Sequence, residues 1–222
     1  MSVLSLKAKF DSLLTGLKSV STVRFSKTVE SAYEALVLAD LMQEYARIKS
    51  GVKNINSPAA GYFLNQAPGK FRKEQSFFIE FNNGEAYYFA ADVEVFGLVA
   101  RERSAPTGML FEADAVVIKS ELADEVITDY DGYPAPQHID CLIECKFGRY
   151  YKGQLRELLG LRRHVSLLGR KIAHAPVTGA LYGIGLQRAV PPIALFMARP
   201  IAATFVDINT AELYDLGQIR IS

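Results

Sequence analysis

The chain has 222 residues, 50% hydrophobic and 22% charged, with 16 Gly, 9 Pro and 25 basic against 24 acidic side chains, a net charge of +1. That length suits one large domain with a real apolar core, and the composition excludes disorder, a collagen-like repeat and a disulfide scaffold. The near-neutral balance argues against a generally basic nucleic-acid coat protein or a polybasic membrane binder, and says nothing about local charge.

Val3, Leu6, Phe10, Leu13, Leu14 and Leu17 recur at helical spacing, which predicts an amphipathic helix over residues 2–19. Lys7 and Lys9 interrupt its apolar run and no A-x-A cleavage site follows, so a signal peptide is not expected. A second helix is expected over about 28–49, where Leu36, Val37, Leu38, Leu41, Met42 and Tyr45 supply a broad apolar face. Residues 49–73 hold two prolines, three glycines, five basic residues and no acid, and read as a loop or broken segment. A meander follows, with strands at 76–81 and 86–97 joined by Asn82-Asn83-Gly84, a strong hairpin signal. Further strands are expected at 109–119 and 138–147, separated by an acidic, proline-containing loop. The period then turns helical over 152–169, and a last strand is expected at 193–198. This is a mixed α/β layout whose central strands should be covered on both sides. Residues 1–27 read as an N-terminal helix and connector, and 28–222 as one domain.

Cys141 and Cys145 sit four apart in a predicted strand. Such a pair is roughly 13 Å apart at about 3.3 Å per residue, beyond the ~7 Å reach of a disulfide, so both are expected to be free thiols, as in a reducing cytoplasm. The longest apolar run, from Pro191 to Val206, is broken by Arg199 and Pro200 and is too short to span a bilayer. A cytoplasmic protein with no membrane partner is the expectation.

Strand alternation singles out a group of charged residues. Leu142, Glu144 and Lys146 share one face of their strand, while Cys141, Ile143 and Cys145 share the other. The same rule groups Glu112 and Asp114 with Val116 and Ile118. Charges within apolar strands are costly to bury unless they pair or bind a metal.

The helical acid Glu34, the strand residues Glu112-Ala113-Asp114 and the tripeptide Glu144-Cys145-Lys146, followed by a predicted helix, resemble the PD-(D/E)xK, or restriction-endonuclease-like, nuclease superfamily in its E-x-D … E-x-K form. The likeness covers roughly residues 28–170, with the strand near 193–198 as the last core element. Ala113 stands where the superfamily usually has proline, and the Asp114–Glu144 spacing implies an elaborated connection at 120–137. The resemblance implies an αβββαβ core, here with an added N-terminal helix, and a metal-dependent nuclease acting on DNA rather than RNA in restriction, defence or repair. Such enzymes often dimerise, and the helix at 2–19 serves either as a homodimer element or packs in cis.

For phosphodiester hydrolysis, Asp114 and Glu144 with the carbonyl of Cys145 would hold Mg²⁺ or Mn²⁺ in an oxygen-rich site. Lys146 would orient the attacking water or neutralise the transition state, and Glu34 or Glu112 would add a further acid. Each has a plainer alternative. Glu34 lies three residues after Ser31 and would equally close a capping box. Glu112 would equally be a strand-end acid facing water, and Glu144 and Lys146 a structural pair. The rival for the whole chain is a degenerate nuclease fold acting as a nucleic-acid-binding or assembly module.

Local charge supports a nucleic-acid partner. Residues 146–171 carry eight basic residues and one acid, while residues 112–140 carry eight acids and one lysine, so the overall neutrality is a cancellation. Arg149, Arg156, Arg163 and Arg170 recur every seven residues and hold nearly one helical face, with only about 20° drift per heptad. With Lys152, that face would grip a phosphate backbone without reading sequence; its plainer alternative is a solvated surface. Gln154 is similar to a polar residue that some superfamily members carry near the scissile phosphate. His138, His164 and His174 lack metal-ligand spacing and read as structural or exposed. Gly179, Gly183 and Gly185 read as turn or strand glycines, and Tyr62 and Phe63 as core residues before base-stacking ones.

Overall fold

The computed structural model describes residues 3–17, 28–59, 69–96, 110–146, 193–197 and 211–215. Helix α1 spans Val3–Gly16 and helix α2 spans Val29–Ile48. Phe10, Leu14 and Leu17 are buried in one cluster with α2, so α1 packs in cis on the helix that follows it. The Gln43 side-chain amide donates to the Leu13 carbonyl at 2.9 Å, satisfying one of the acceptors that a helix leaves open at its end.

Thr28 caps α2, its hydroxyl accepting from the Ser31 N–H at 3.3 Å. Ser31 therefore occupies the third helical position, and Glu34, half-buried in the second turn, is not part of a capping box built on Ser31. At the other end Ser50 and Gly51 turn left-handed, with φ of 66° and 91°, and the Gly51 N–H returns to the Ala46 carbonyl at 2.6 Å. That closure is a Schellman-type stop, and it aims the chain directly into a strand.

Strand β1, Val52–Asn56, occupies part of the stretch expected to be a loop. Its exposed, weakly apolar sequence hides it, since an edge strand needs only one partner and one half-covered face. Strands β2 (Phe77–Phe81) and β3 (Ala86–Phe96) form the expected hairpin through Asn82-Asn83-Gly84, with Gly84 at φ 87°. Strand β4 spans Leu110–Lys119, a short helix α3 spans Ala123–Asp129, and strand β5 spans Ile139–Lys146. The acidic connection between β4 and β5 thus carries a helix whose Ala123 and Val126 are buried, rather than a bare loop. Strand β6 is Ile193–Met197, as expected, and a further strand β7, Ala211–Asp215, was not anticipated.

Among the described residues the strands form one mixed sheet in the order β1-β2-β3-β4-β5-β6-β7. The first five are antiparallel neighbours, while β6 is parallel to β5 and β7 to β6. Parallel neighbours need a crossover connection, and the segment between β5 and β6, where the sequence predicts its basic helix, lies outside the described residues.

One face of the sheet is covered by α2. Tyr45 packs edge-on to Phe89 at 5.2 Å and to Tyr87 at 5.4 Å between ring centroids, with Phe77, Ile79 and Phe81 around them. Each such buried side chain contributes about 1.5–3 kcal/mol through removal from water. The opposite face packs Tyr88, Val116, Ile118, Ile139 and Leu142 against α3 and Phe71. Central strands covered on both faces match the mixed α/β expectation. No helix among the described residues is long and apolar enough to cross a membrane.

Candidate metal and phosphate site

The β4–β5 ladder runs from Ile118 opposite Ile139 to Ala115 opposite Ile143, and there the pairing stops. Continued one step, that register sets Asp114 opposite Glu144; continued two, Ala113 opposite Cys145. The Cys145 N–H instead donates to the Asp114 carboxylate, so a side chain takes the bond a strand carbonyl would otherwise accept. Asp114 and Glu144 are both half-buried. The two sequence-predicted acids thus stand on neighbouring strands, at the point where those strands part.

Cys145 contributes through its backbone. Its side chain packs with Cys141 and Ile143 in the apolar cluster under α2, and both thiols are free and buried. Burial and the nearby Asp140 push the Cys141 thiol far above its ordinary range, so it behaves as an inert apolar group. Lys146 closes β5 with its backbone paired to Met197; its side chain lies outside the described residues, as do Arg149, Lys152, Gln154, Arg156 and Arg163.

Glu112 is exposed and lies opposite Glu94 of β3. The expectation that Glu112 and Asp114 share the face of Val116 and Ile118 is corrected. Ala113 and Phe111 pack with Val116 and Ile118, so the alternation of β4 reverses at Asp114 and leaves Glu112 pointing away from that cluster. Two acids escaped the sequence reading. Asp92 and Glu94 stand two apart in β3, mirroring Glu112 and Asp114 across the strand pair. An acid-x-acid step inside an otherwise apolar strand is the signal that could have found them. Glu34 sits on α2, the helix covering the Cys141–Cys145 face.

Among the described residues, no group of three or more His, Cys, Asp or Glu side chains is gathered as a ready-made metal cage. The candidate donors beside the end of the β4–β5 ladder, the Asp114 and Glu144 carboxylates and the Cys145 main-chain carbonyl, would make an all-oxygen set, the chemistry that suits Mg²⁺ or Mn²⁺ with several waters kept. The buried thiols and the placement of His138 do not fit a zinc site. His138 is buried, its Nδ1 accepting from the Ala135 N–H at 3.0 Å and its Nε2 lying 3.1 Å from Glu125. The backbone bond fixes a neutral ring with its proton on Nε2, the structural role expected for it.

The start of β5 is built differently. The β4–β5 register shifts between Val117 and Ile118, leaving Asp140 as the extra residue of a bulge. Its carboxylate accepts from the Tyr45 hydroxyl at 2.5 Å. Burial, with the nearby Cys141 and Asp140, raises the Tyr45 phenol well above its ordinary value of 10.0. Tyr87 is pushed up to about 12 by burial first and then by Asp140, while its hydroxyl reaches Glu85 at 3.0 Å. Lys49 completes this end by pairing with Glu85 at 2.7 Å. A shallow pocket lined by Lys119, Gln137, His138 and Asp140 opens beside it.

Compared with protein-family models, curated proteins and solved structures, the chain finds no match.

Proposed function

We propose that the protein is a metal-dependent nuclease of the restriction-endonuclease-like kind, hydrolysing phosphodiester bonds in DNA. The observation that carries this reading is the pair Asp114 and Glu144 at the opened end of β4 and β5, with Glu144 and Lys146 two apart at the end of a strand whose next neighbour is parallel. A covering helix before an antiparallel meander, with a parallel strand after β5, is compatible with an αβββαβ core, the meander here having five strands and the short α3 between the last two.

The Asp114 and Glu144 carboxylates and the Cys145 carbonyl would hold the divalent ion. When bound, it supplies Lewis-acid polarisation of the phosphate and a more acidic water. The Cys145 N–H fixes the Asp114 carboxylate, so one oxygen is oriented before any ligand arrives. The apolar packing of Cys145 and Ile143 under α2 holds the strand that carries Glu144, which limits reorganisation during reaction. Lys146 would balance charge accumulating on the phosphate. The basic block at 146–171 would bind the backbone on either side of the cut, giving affinity that falls with salt.

The test is incubation of the pure protein with supercoiled plasmid, linear duplex and single strands in Mg²⁺, Mn²⁺ or EDTA. Breakage that needs the ion supports the nuclease. Salt-dependent binding with no breakage under any condition assigns the chain instead to a degenerate nuclease fold acting as a binding module.

A further inference from the structure

We propose that Asp92, by holding a left-handed backbone conformation in the middle of β3, is the positioning residue that turns Asp114 into the gap between β4 and β5. The β3–β4 register is constant from Tyr87–Lys119 to Ala91–Ala115 and resumes without slip at Val93–Ala113. Asp92 therefore stands opposite Asp114, and theirs is the pair missing from an otherwise continuous ladder.

On the hairpin side of that pair, Tyr87, Phe89, Ala91, Ala115 and Val117 face α2, while Tyr88, Ala90, Val116 and Ile118 face the other way. Beyond it, Val93, Val95, Phe111 and Ala113 all pack in the second cluster. Both strands thus turn over together at one position. Asp92 has φ 51°, a conformation that L-residues other than asparagine, aspartate and histidine seldom adopt. Gly69 locks the turned segment from outside: its N–H donates to the Asp92 carbonyl at 3.1 Å and its carbonyl accepts from the Glu94 N–H at 2.9 Å.

Strand β5 does not follow. Cys141, Ile143 and Cys145 stay on the α2 face throughout. Turning β3 and β4 over against a neighbour that keeps its phase must break the β4–β5 ladder. The break falls after Ala115–Ile143, where the Asp114 carboxylate takes the Cys145 N–H. The reversal at Asp92 and the opening at Asp114 are one deformation. Calling that position functional rests on the nuclease reading; the position itself does not.

The test compares Asp92→Gly and Asp92→Asn, which keep the left-handed backbone accessible, with Asp92→Ala and Asp92→Val, which resist it. The readout is the Cys145 amide resonance, with Asp114→Ala as the reference for a lost bond. Gly and Asn variants are expected to keep the wild-type position of that resonance. The Ala variant, and Val if it folds, are expected to move it toward the Asp114→Ala position, with Cys141 and Leu142 amides unchanged. In the cleavage assay the Ala variant should need about tenfold more Mg²⁺ for half-maximal rate, the size of effect seen when support behind a metal ligand is lost, while the Gly variant stays near wild type. A wild-type Cys145 resonance in the Ala variant, or its displacement in the Gly variant, overturns the proposal. Because that readout needs no turnover, an inactive protein with the expected spectra would refute the nuclease reading alone.

Discussion

The two ends of β5 carry two carboxylates in opposite circumstances. Asp140, at the start, sits in a bulge and is met by the phenol of Tyr45 from the covering helix, inside an aromatic cluster that is otherwise apolar. Glu144, near the end, lies one step past the last β4–β5 pair, beside the place where the Cys145 N–H donates to the Asp114 carboxylate. Both ends break the regular ladder, and both do so at an acid. The difference lies in what meets the acid: the first recruits a side-chain donor that ties a helix to the sheet, while at the second the Asp114 carboxylate takes a backbone N–H of the neighbouring strand. An acid in a strand is therefore informative only together with its partner.

The largest effect expected is on cleavage at the opened end. Lys146→Ala should lower the rate by about a hundredfold or more, the usual loss when one preorganised charge is removed, and Asp114→Ala by more still. The thermal melt of Lys146→Ala should stay close to wild type, while Asp114→Ala, which takes the acceptor from the Cys145 N–H, should cost about 1–3 kcal/mol. If instead Tyr45→Phe abolished cleavage as thoroughly, the distinction between the ends would fail.

Stability should respond most at the other end. Tyr45→Ala removes a fully buried ring and should cost about 3–5 kcal/mol in urea unfolding. Tyr45→Phe keeps the ring, takes the hydroxyl from Asp140 and should cost about 1–3 kcal/mol. High pH attacks the same end. The folded protein holds its Tyr45 and Tyr87 protons more tightly than the unfolded chain does. Stability is therefore full below the ordinary phenol value of 10.0 and falls as pH rises from there toward about 12, where folded Tyr87 ionises. Melting temperatures across that window should drop, and more shallowly in Tyr45→Phe and Tyr87→Phe. The smallest effect belongs to Glu112→Ala, within about 0.5 kcal/mol at an exposed site, with a gain expected because Glu94 stands directly opposite.

Much of this was legible from residue order. The first two helices, the Asn82-Asn83-Gly84 hairpin, five of the strands and the acids within them follow from periodicity and turn chemistry. The turnover at Asp92 does not. Tyr87, Phe89, Ala91, Val93 and Val95 alternate without interruption along the sequence, so the pattern conceals a backbone that changes faces in the middle. Small Ala90, Ala91, Ala113 and Ala115 make the concealment possible, since they fit either cluster. The edge strand β1 was hidden for a different reason, because pairing on one side stabilises a segment whose own pattern is weak. Helix α3 was masked by its acidic surface, which pairs through Asp124 with Lys73 at 2.6 Å while Ala123 and Val126 alone reach the core.

The most direct test of the opened end as a cation site is titration of the isotopically labelled protein with Mn²⁺, followed by paramagnetic broadening of its amide resonances. Substoichiometric Mn²⁺ should broaden Asp114, Glu144 and Cys145 first, leave Tyr45 and Asp140 sharp, and lose this selectivity in Asp114→Ala. Broadening centred on Asp140, or an unchanged pattern in Asp114→Ala, would contradict the assignment.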